Sequence, residues 1–293
     1  MNLPHTLRAQ IETILGNGVT RADPLGQSFG AGLARLTTAR GRFALKWAHQ
    51  PLPGALAAES RGLKLLDSAE AVRVPEVIAV VDPPPETGHA FLLSVWLEGD
   101  GAVVDMVALG TQLAALHRST AANYGLDHDN YIGGTPQHNG WLSDWPQFFI
   151  ERRLLPQIEL AGAHNLLNGG RRHNLERLLN RVGDLLDGVA RQPSLLHGDL
   201  WGGNVVAADP SGVPGLIDPA VYYGDREAEI AFTELFGGFG PAFYAAYNRA
   251  WPLAPGYTDR RDLYNLYHLL NHLNLFGEGY GSQVDAIARR YGG

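Results

Sequence analysis

Hydrophobic and polar positions change their period about a third of the way along the chain. Up to about residue 15 they describe a short amphipathic helix. Residues 26–48, GQSFGAGLARLTTARGRFALKWA, hold two strand-like runs with a turn at ARGR. In the second run Phe43, Leu45 and Trp47 alternate with Ala44, Lys46 and Ala48, so a strand sends Lys46 to the face of Ala44, opposite the bulky side chains. Residues 52–68 predict a helix with Leu56, Leu63 and Leu66 as its apolar stripe, and Glu59 falls on that stripe. Such a position is either a chance misplacement at a helix edge or a carboxylate with a cationic partner, because an unpaired buried charge is costly. Lys46, on the neighbouring sheet, is the obvious partner. Residues 73–99 read as two more strands joined by a Pro-rich turn.

Beyond residue 99 the pattern is mostly helical. VALGTQLAALHR and DWPQFFIERRLLPQIELA have helical spacing, with Trp145, Phe148 and Phe149 on one face of the latter, and residues 173–190 and 261–276 repeat the theme. The strand-like segments SLLHGD and VPGLIDP interrupt it. This predicts an α+β chain of two lobes, an antiparallel-sheet lobe with one main helix over 1–98 and a larger helical lobe over 99–293, meeting at a cleft near residue 98.

Composition narrows the chemistry. The 293 residues are 45% hydrophobic and 18% charged, as in an ordinary globular protein. No apolar run is long enough to span a membrane, and the N-terminus lacks the basic and apolar regions of a signal peptide. The absence of cysteine excludes disulfides, thiolate metal sites and thiol nucleophiles, and is compatible with a cytoplasmic location. A net charge of −7 argues against a nucleic-acid partner and suits a cationic ligand.

Against that background LLHGDLWGGNVV, residues 195–206, admits two readings. Asp199 and Asn204 are either backbone caps in a glycine-rich turn, or a catalytic acid and a metal ligand spaced as in the phosphoryl-transfer loop H-x-D-x-x-x-x-N. The order of the other candidates favours the second. A glycine-bearing turn (Gly26, Gly30, Gly32) precedes the strand lysine Lys46, then comes Glu59, then Asp199 and Asn204, and last Asp218 at the end of the apolar run LID. Phosphoryl transfer needs backbone amides over the phosphates, a lysine to neutralise them, a carboxylate to hold that lysine, an acid to orient the attacking hydroxyl, and hard oxygens for Mg²⁺. The pair His268 and His272 has helical spacing but lacks the glutamate of a zincin motif. His117, at a helix end, is read as favouring the helix dipole, and the aromatic residues of 141–149 as core.

The segments LLHGDLWGGNV, LIDPAVYYGDREAEIAFTELFGGF and TPQHNGWLSDWPQFFIERRLLPQ resemble the fructosamine kinase (ketosamine-3-kinase) family, in the aminoglycoside-phosphotransferase branch of the protein-kinase-like fold. The resemblance covers nearly the whole chain and is most specific in G-D-L-W-x-G-N and in Y-G-D-R-E followed by L-F-G-G-F. It implies ATP-dependent phosphorylation of the 3-hydroxyl of a small-molecule or protein-bound ketosamine, which destabilises the sugar–amine linkage. By the same resemblance Asp199 is the base, Asn204 and Asp218 bind Mg²⁺, Lys46 holds the phosphates and Glu59 holds Lys46. Gly30 and Gly32 belong to the phosphate turn, Ala44 packs on adenine, Val95, Trp96 and Leu97 border its edge, and Trp201 borders the sugar. This chain departs from the pattern in a short segment before TPQ, in Phe29 where some members have cysteine, and in Glu229 where relatives often have aspartate. A kinase of another alcohol, such as an aminoglycoside or choline, and a nucleotide-binding protein without turnover are the competing expectations.

Overall fold

The computed structural model describes residues 1–82 and 88–293. The Pro-rich turn expected between the third and fourth sheet segments lies largely outside the described residues. The chain packs as two units, Met1–Asp105 with Val205–Pro219, and Met106–Asn204 with Ala220–Gly293. A single cut at residue 98 therefore differs from the observed division in two ways: the first unit runs on to Asp105, and it takes back a short hairpin from the second half of the chain.

The first unit contains α1 (His5–Leu15), β1 (Val19–Ser28), β2 (Ala31–Thr38), β3 (Gly41–Ala48), α2 (Ala55–Ser68), β4 (Val77–Val81) and β5 (Ala90–Val95). The strands form an antiparallel sheet in the order β1-β2-β3-β5-β4. The alternation in β3 sorts its faces as the sequence suggests. Phe43, Leu45 and Trp47 pack with Leu7, Ile11 and Leu15 of α1, while Ala44 and Lys46 line a cavity on the other side. α2 buries Leu56, Leu63 and Leu66 as expected.

The second unit begins with α3 (Met106–Leu116), the ribbon β6 (Asn130–Ile132) and β7 (Thr135–Gln137), then α4 (Trp145–Phe148), a π-helical turn (Phe149–Leu154) and α5 (Leu155–Ala163). The π-turn has a local cause. Pro156 has no amide to give the Arg152 carbonyl four residues back, and the Arg153 guanidinium takes that carbonyl instead, at 2.9 Å. Trp145, Phe148 and Phe149 are core, whereas Trp141 is 42% exposed. The region 173–190 is broken into α6 (Gly169–Leu179) and α7 (Val182–Leu186).

After β8 (Ser194–Leu196) and a 3₁₀ turn (Gly202–Asn204), the hairpin β9 (Val205–Ala207) and β10 (Pro214–Leu216) returns to the first unit. There Leu216 N–H bonds the Arg73 carbonyl, and Glu98 N–H bonds that of Ala208, each at 2.9 Å. β11 (Tyr222–Gly224), α8 (Arg226–Leu235), α9 (Pro241–Ala250), α10 (Tyr257–Phe276) and α11 (Gly281–Gly292) complete the second unit. The strands of SLLHGD and VPGLIDP are both present, but each has a different partner: β8 pairs with β11, and β10 with β9. Among the described residues, no helix is long and apolar enough to cross a membrane.

Candidate active site

Within the first unit, Lys46 on β3 meets Glu59 on α2 and Asp218 just past β10. Its Nζ donates to both oxygens of Glu59, at 2.7 and 2.9 Å, and to Asp218 Oδ1 at 3.0 Å. Burial acts to lower the Lys46 pKa, but the two carboxylates outweigh it and raise it above the ordinary value, so the ammonium is kept. Glu59 is pushed up, first by burial and further by the like charge of Asp218, against the pull of Lys46. One cation thus holds two carboxylates, and the misplaced Glu59 of the α2 stripe has its partner. Asp218 sits in the left-handed region at φ 54, which aspartate tolerates better than a bulky residue does. That conformation follows directly after the β10 segment and turns the carboxylate toward Lys46.

These three residues line a cavity of about 460 Å³ in the first unit. Its other walls include Ala44, Leu33, Leu63, Leu92, Val95, Trp96, Leu97 and Val206. The volume and the apolar walls suit a flat heterocycle with a charged extension. Past β5, Val95 N–H donates to the Glu76 carbonyl (2.8 Å), Trp96 N–H to that of Arg42 (3.0 Å) and Glu98 N–H to that of Ala208 (2.9 Å). Leu97 is the amide of this stretch left without a backbone partner among the described residues. Gly30 and Gly32 are not among the lining residues. Gly32 has a packing reason of its own, because a Cβ there would sit 2.7 Å from the Trp47 indole.

The second unit carries the HGDLWGGN loop. Gly198 is left-handed at φ 85, and a Cβ there would lie 2.0 Å from the Ala220 carbonyl oxygen, so only glycine fits between His197 and Asp199. Asn204 is buried. Its Nδ2 donates to the Asp199 carbonyl at 2.8 Å and to Asp199 Oδ2 at 3.3 Å. The amide therefore has its nitrogen side turned to Asp199, which leaves the amide oxygen, a hard donor of the kind Mg²⁺ takes, on the opposite side. Trp201 is 44% exposed. Its indole lies over Gly203, where a Cβ would come within 2.2 Å of the ring.

A further layer lies under this loop, and of its members the sequence pointed to Glu229 alone, through the family resemblance. Glu229 of α8 accepts the amides of His197 (3.1 Å) and Gly198 (2.6 Å), so it braces the loop that carries Asp199. His117, fully buried, contacts Glu229 Oε2 through Nε2 at 2.9 Å and the Tyr247 hydroxyl through Nδ1 at 2.8 Å. Because a carboxylate only accepts, Nε2 carries the proton. The helix-dipole reading of His117 is thus replaced by a side-chain network, whose members lie 112 and 130 residues away in sequence. A second network sits under the strand that follows Asp218. Asn130 and Gln137 donate to the carbonyls of Val221 and Ala220, and Tyr267 donates to Gln137. His268 and His272 are not a metal pair: the His268 ring stacks on Phe232 at 3.5 Å, and its burial lowers the pKa well below the ordinary value.

Comparison with known proteins shows the family and the fold. The fructosamine kinase family model matches residues 8–291. A chloroplastic protein-ribulosamine 3-kinase of Arabidopsis thaliana is 37% identical over 291 residues, covering 96% of this chain and 86% of that protein. A Thermobifida fusca structure assigned as a fructosamine-3-kinase superposes with a TM-score of 0.88 at 31% identity, covering 98% of each chain. An ADP-bound aminoglycoside phosphotransferase shares the kinase-like fold, with a TM-score of 0.62 at 14% identity over 99% of this chain and 98% of that one. A family match over nearly the whole length and a shared fold point one way: the chain belongs to the fructosamine kinase family.

Proposed function

We propose that the protein transfers the γ-phosphoryl group of ATP to the 3-hydroxyl of a ketosamine, free or protein-bound. The observation that carries this reading is the Asp199–Asn204 pair, in which an acid and an amide ligand are fixed to each other on a loop braced from below. Lys46, held by Glu59, neutralises the α- and β-phosphates. Ala44 and the Val95–Leu97 segment receive the adenine, with the Leu97 amide as donor to its edge. Gly30, in the β1–β2 turn, and Gly32, at the start of β2, belong to the segment that covers the phosphates.

Asn204 and Asp218 each offer an oxygen to Mg²⁺, which when bound neutralises charge on the transferring phosphoryl group. Asp199 orients the acceptor hydroxyl and takes its proton. The transition state of such transfers is loose, so placement of the hydroxyl and the phosphates contributes more than the basicity of Asp199. Trp201 borders the sugar. The relatives' names support a ketosamine acceptor, and the cysteine-free chain fits a cytoplasmic setting.

ADP release measured with MgATP over ketosamines, an aminoglycoside and choline tests the reading. Turnover confined to ketosamines, and lost in Asp199→Asn, supports it. Preferential turnover of choline or the aminoglycoside, or no turnover with any acceptor, overturns it.

A further inference from the structure

Four aromatic rings stand together beside the catalytic loop. Phe236 follows α8, His272 and Phe276 lie in the last turns of α10, and Tyr280 is in the 3₁₀ turn that follows. His272 is the hub, with ring centroids 4.6 Å from Phe236, 5.4 Å from Phe276 and 5.0 Å from Tyr280. Phe236 is 40% exposed and Phe276 59%. Single exposed apolar residues are ordinary, but a contiguous exposed aromatic group marks a binding surface.

The main chain ties this group to Asp199. Gly237 and Gly238 follow Phe236, both left-handed at φ 75 and 98, and a Cβ on Gly238 would sit 3.1 Å from the Gly202 Cα. Gly202 is three residues past Asp199 and next to the exposed Trp201. The glycine turn therefore sets the aromatic group against the loop that must meet the acceptor.

The group's electrostatics define its ligand. Burial holds His272 below its ordinary pKa, against the hydrogen bond that its Nδ1 donates to the His268 carbonyl at 2.8 Å, so the ring carries little charge at pH 7. The nearby acids are engaged elsewhere: Glu278 with Arg171 at 2.6 Å, and Glu234 with Tyr257 and Arg261 at 2.7 and 3.1 Å. What remains are ring faces, which attract a cation and take methylenes out of water. A protonated secondary amine on a hydrocarbon arm combines both. Building on a ketosamine as acceptor, we propose that Phe236, His272, Phe276 and Tyr280 form the subsite for the alkylammonium arm of the substrate, next to the sugar position at Trp201.

Two acceptors with the same sugar separate this subsite from the rest of the site: fructosyl-lysine, with a long arm, and fructosyl-methylamine, with almost none. In Phe236→Ala/Phe276→Ala, KM for fructosyl-lysine should rise about ten-fold. KM for fructosyl-methylamine, which keeps the ammonium but has almost no arm, should rise clearly less, by about three-fold at most, and KM for ATP and the Tm should stay near wild type. Parallel changes for both acceptors, or none, overturn the proposal. If the wild type phosphorylates no ketosamine, the function assigned above fails by itself, and calorimetric titration with N-methylbutylammonium still decides the subsite. Binding to wild type that is lost in the double variant supports it, while absent or unchanged binding overturns it.

Discussion

His117 donates to Glu229 across 2.9 Å inside the second unit, and the same carboxylate accepts the amides of His197 and Gly198. The HGDLWGGN loop, which carries the proposed base Asp199, is therefore held by Glu229 through its own main-chain amides. On the far side of the imidazole, Arg226 donates to the Tyr247 hydroxyl at 3.1 Å, and Tyr247 donates on to Nδ1. Every polar group in this chain has a direction, which fixes the tautomer and the loop together.

Glu229→Gln keeps the side-chain volume but replaces one acceptor oxygen with a donor facing a backbone N–H. An unsatisfied buried donor costs about 1–3 kcal/mol. The expected outcome is a lower Tm and at least about a ten-fold loss of kcat, with KM for ATP changed little. Steady-state kinetics on the folded variant checks this, and a wild-type kcat would remove Glu229 from its bracing role. His117→Ala should move the same quantities in the same direction by a smaller amount, because the two loop amides keep their acceptor.

The same carboxylate gives a pH dependence of known sign. Burial acts to raise the Glu229 pKa, but the hydrogen bonds it accepts, from His117 first and from the Gly198 amide, help to outweigh it, and the result lies below the ordinary value of 4.5. A depressed carboxyl pKa contributes stability that is present above the unfolded value and lost as pH falls through the folded one. The stability gap between wild type and Glu229→Gln, read from denaturant midpoints, should hold at pH 7 and shrink on acidification below about pH 4. A gap independent of pH would contradict the pairing.

How far the sequence reaches is visible in these residues. Lys46 was legible because a strand has a period of two, and Glu59 because a helix stripe exposes a misplaced charge. Both signals are local. Asp199 and Asn204 stood out through their spacing in one short stretch, and Asp218 as an acid at the end of an apolar run. His117 was not, since its meaning lies in partners 112 and 130 residues away, and a lone histidine at a helix end has a simpler local reading. The β9–β10 hairpin was placed with the wrong unit for a similar reason: its three-residue strands carry no pattern of their own, and their attachment rests on main-chain bonds to Arg73 and Glu98. Gly32 also has a packing reason that no local pattern reveals, because a Cβ there would meet the Trp47 indole of the neighbouring strand.

Lys46 and Glu59 should behave as one unit. Removing Lys46 leaves Glu59 and Asp218 as neighbouring carboxylates with no cation, and removing Glu59 frees Lys46 to collapse onto Asp218. Lys46→Met and Glu59→Gln are each expected to lower kcat/KM for ATP, with the double variant costing about 0.5–3 kcal/mol less than the sum. A double-mutant cycle measures this. Strict additivity would show that the contact contributes nothing to nucleotide use.

Gly203→Ala should act on the acceptor through Trp201. The added Cβ would come within 2.2 Å of the indole, so the ring must leave its resting place. KM for the ketosamine is expected to rise by roughly ten-fold, as in Trp201→Ala, with KM for ATP unchanged. The two substitutions combined should add nothing further. Full additivity, or an acceptor KM that stays at the wild-type value, would separate Trp201 from the sugar site.

The central claim is that a phosphoryl group moves from ATP to one particular hydroxyl. Two-dimensional ³¹P–¹H NMR of the product formed from fructosyl-lysine and MgATP locates that phosphate directly. The account predicts a phosphorus coupled to the proton on C3 of the sugar, absent when Asp199→Asn replaces the wild type. Phosphate on any other carbon, or a C3 phosphate formed as fast by the Asp199 variant, would contradict it.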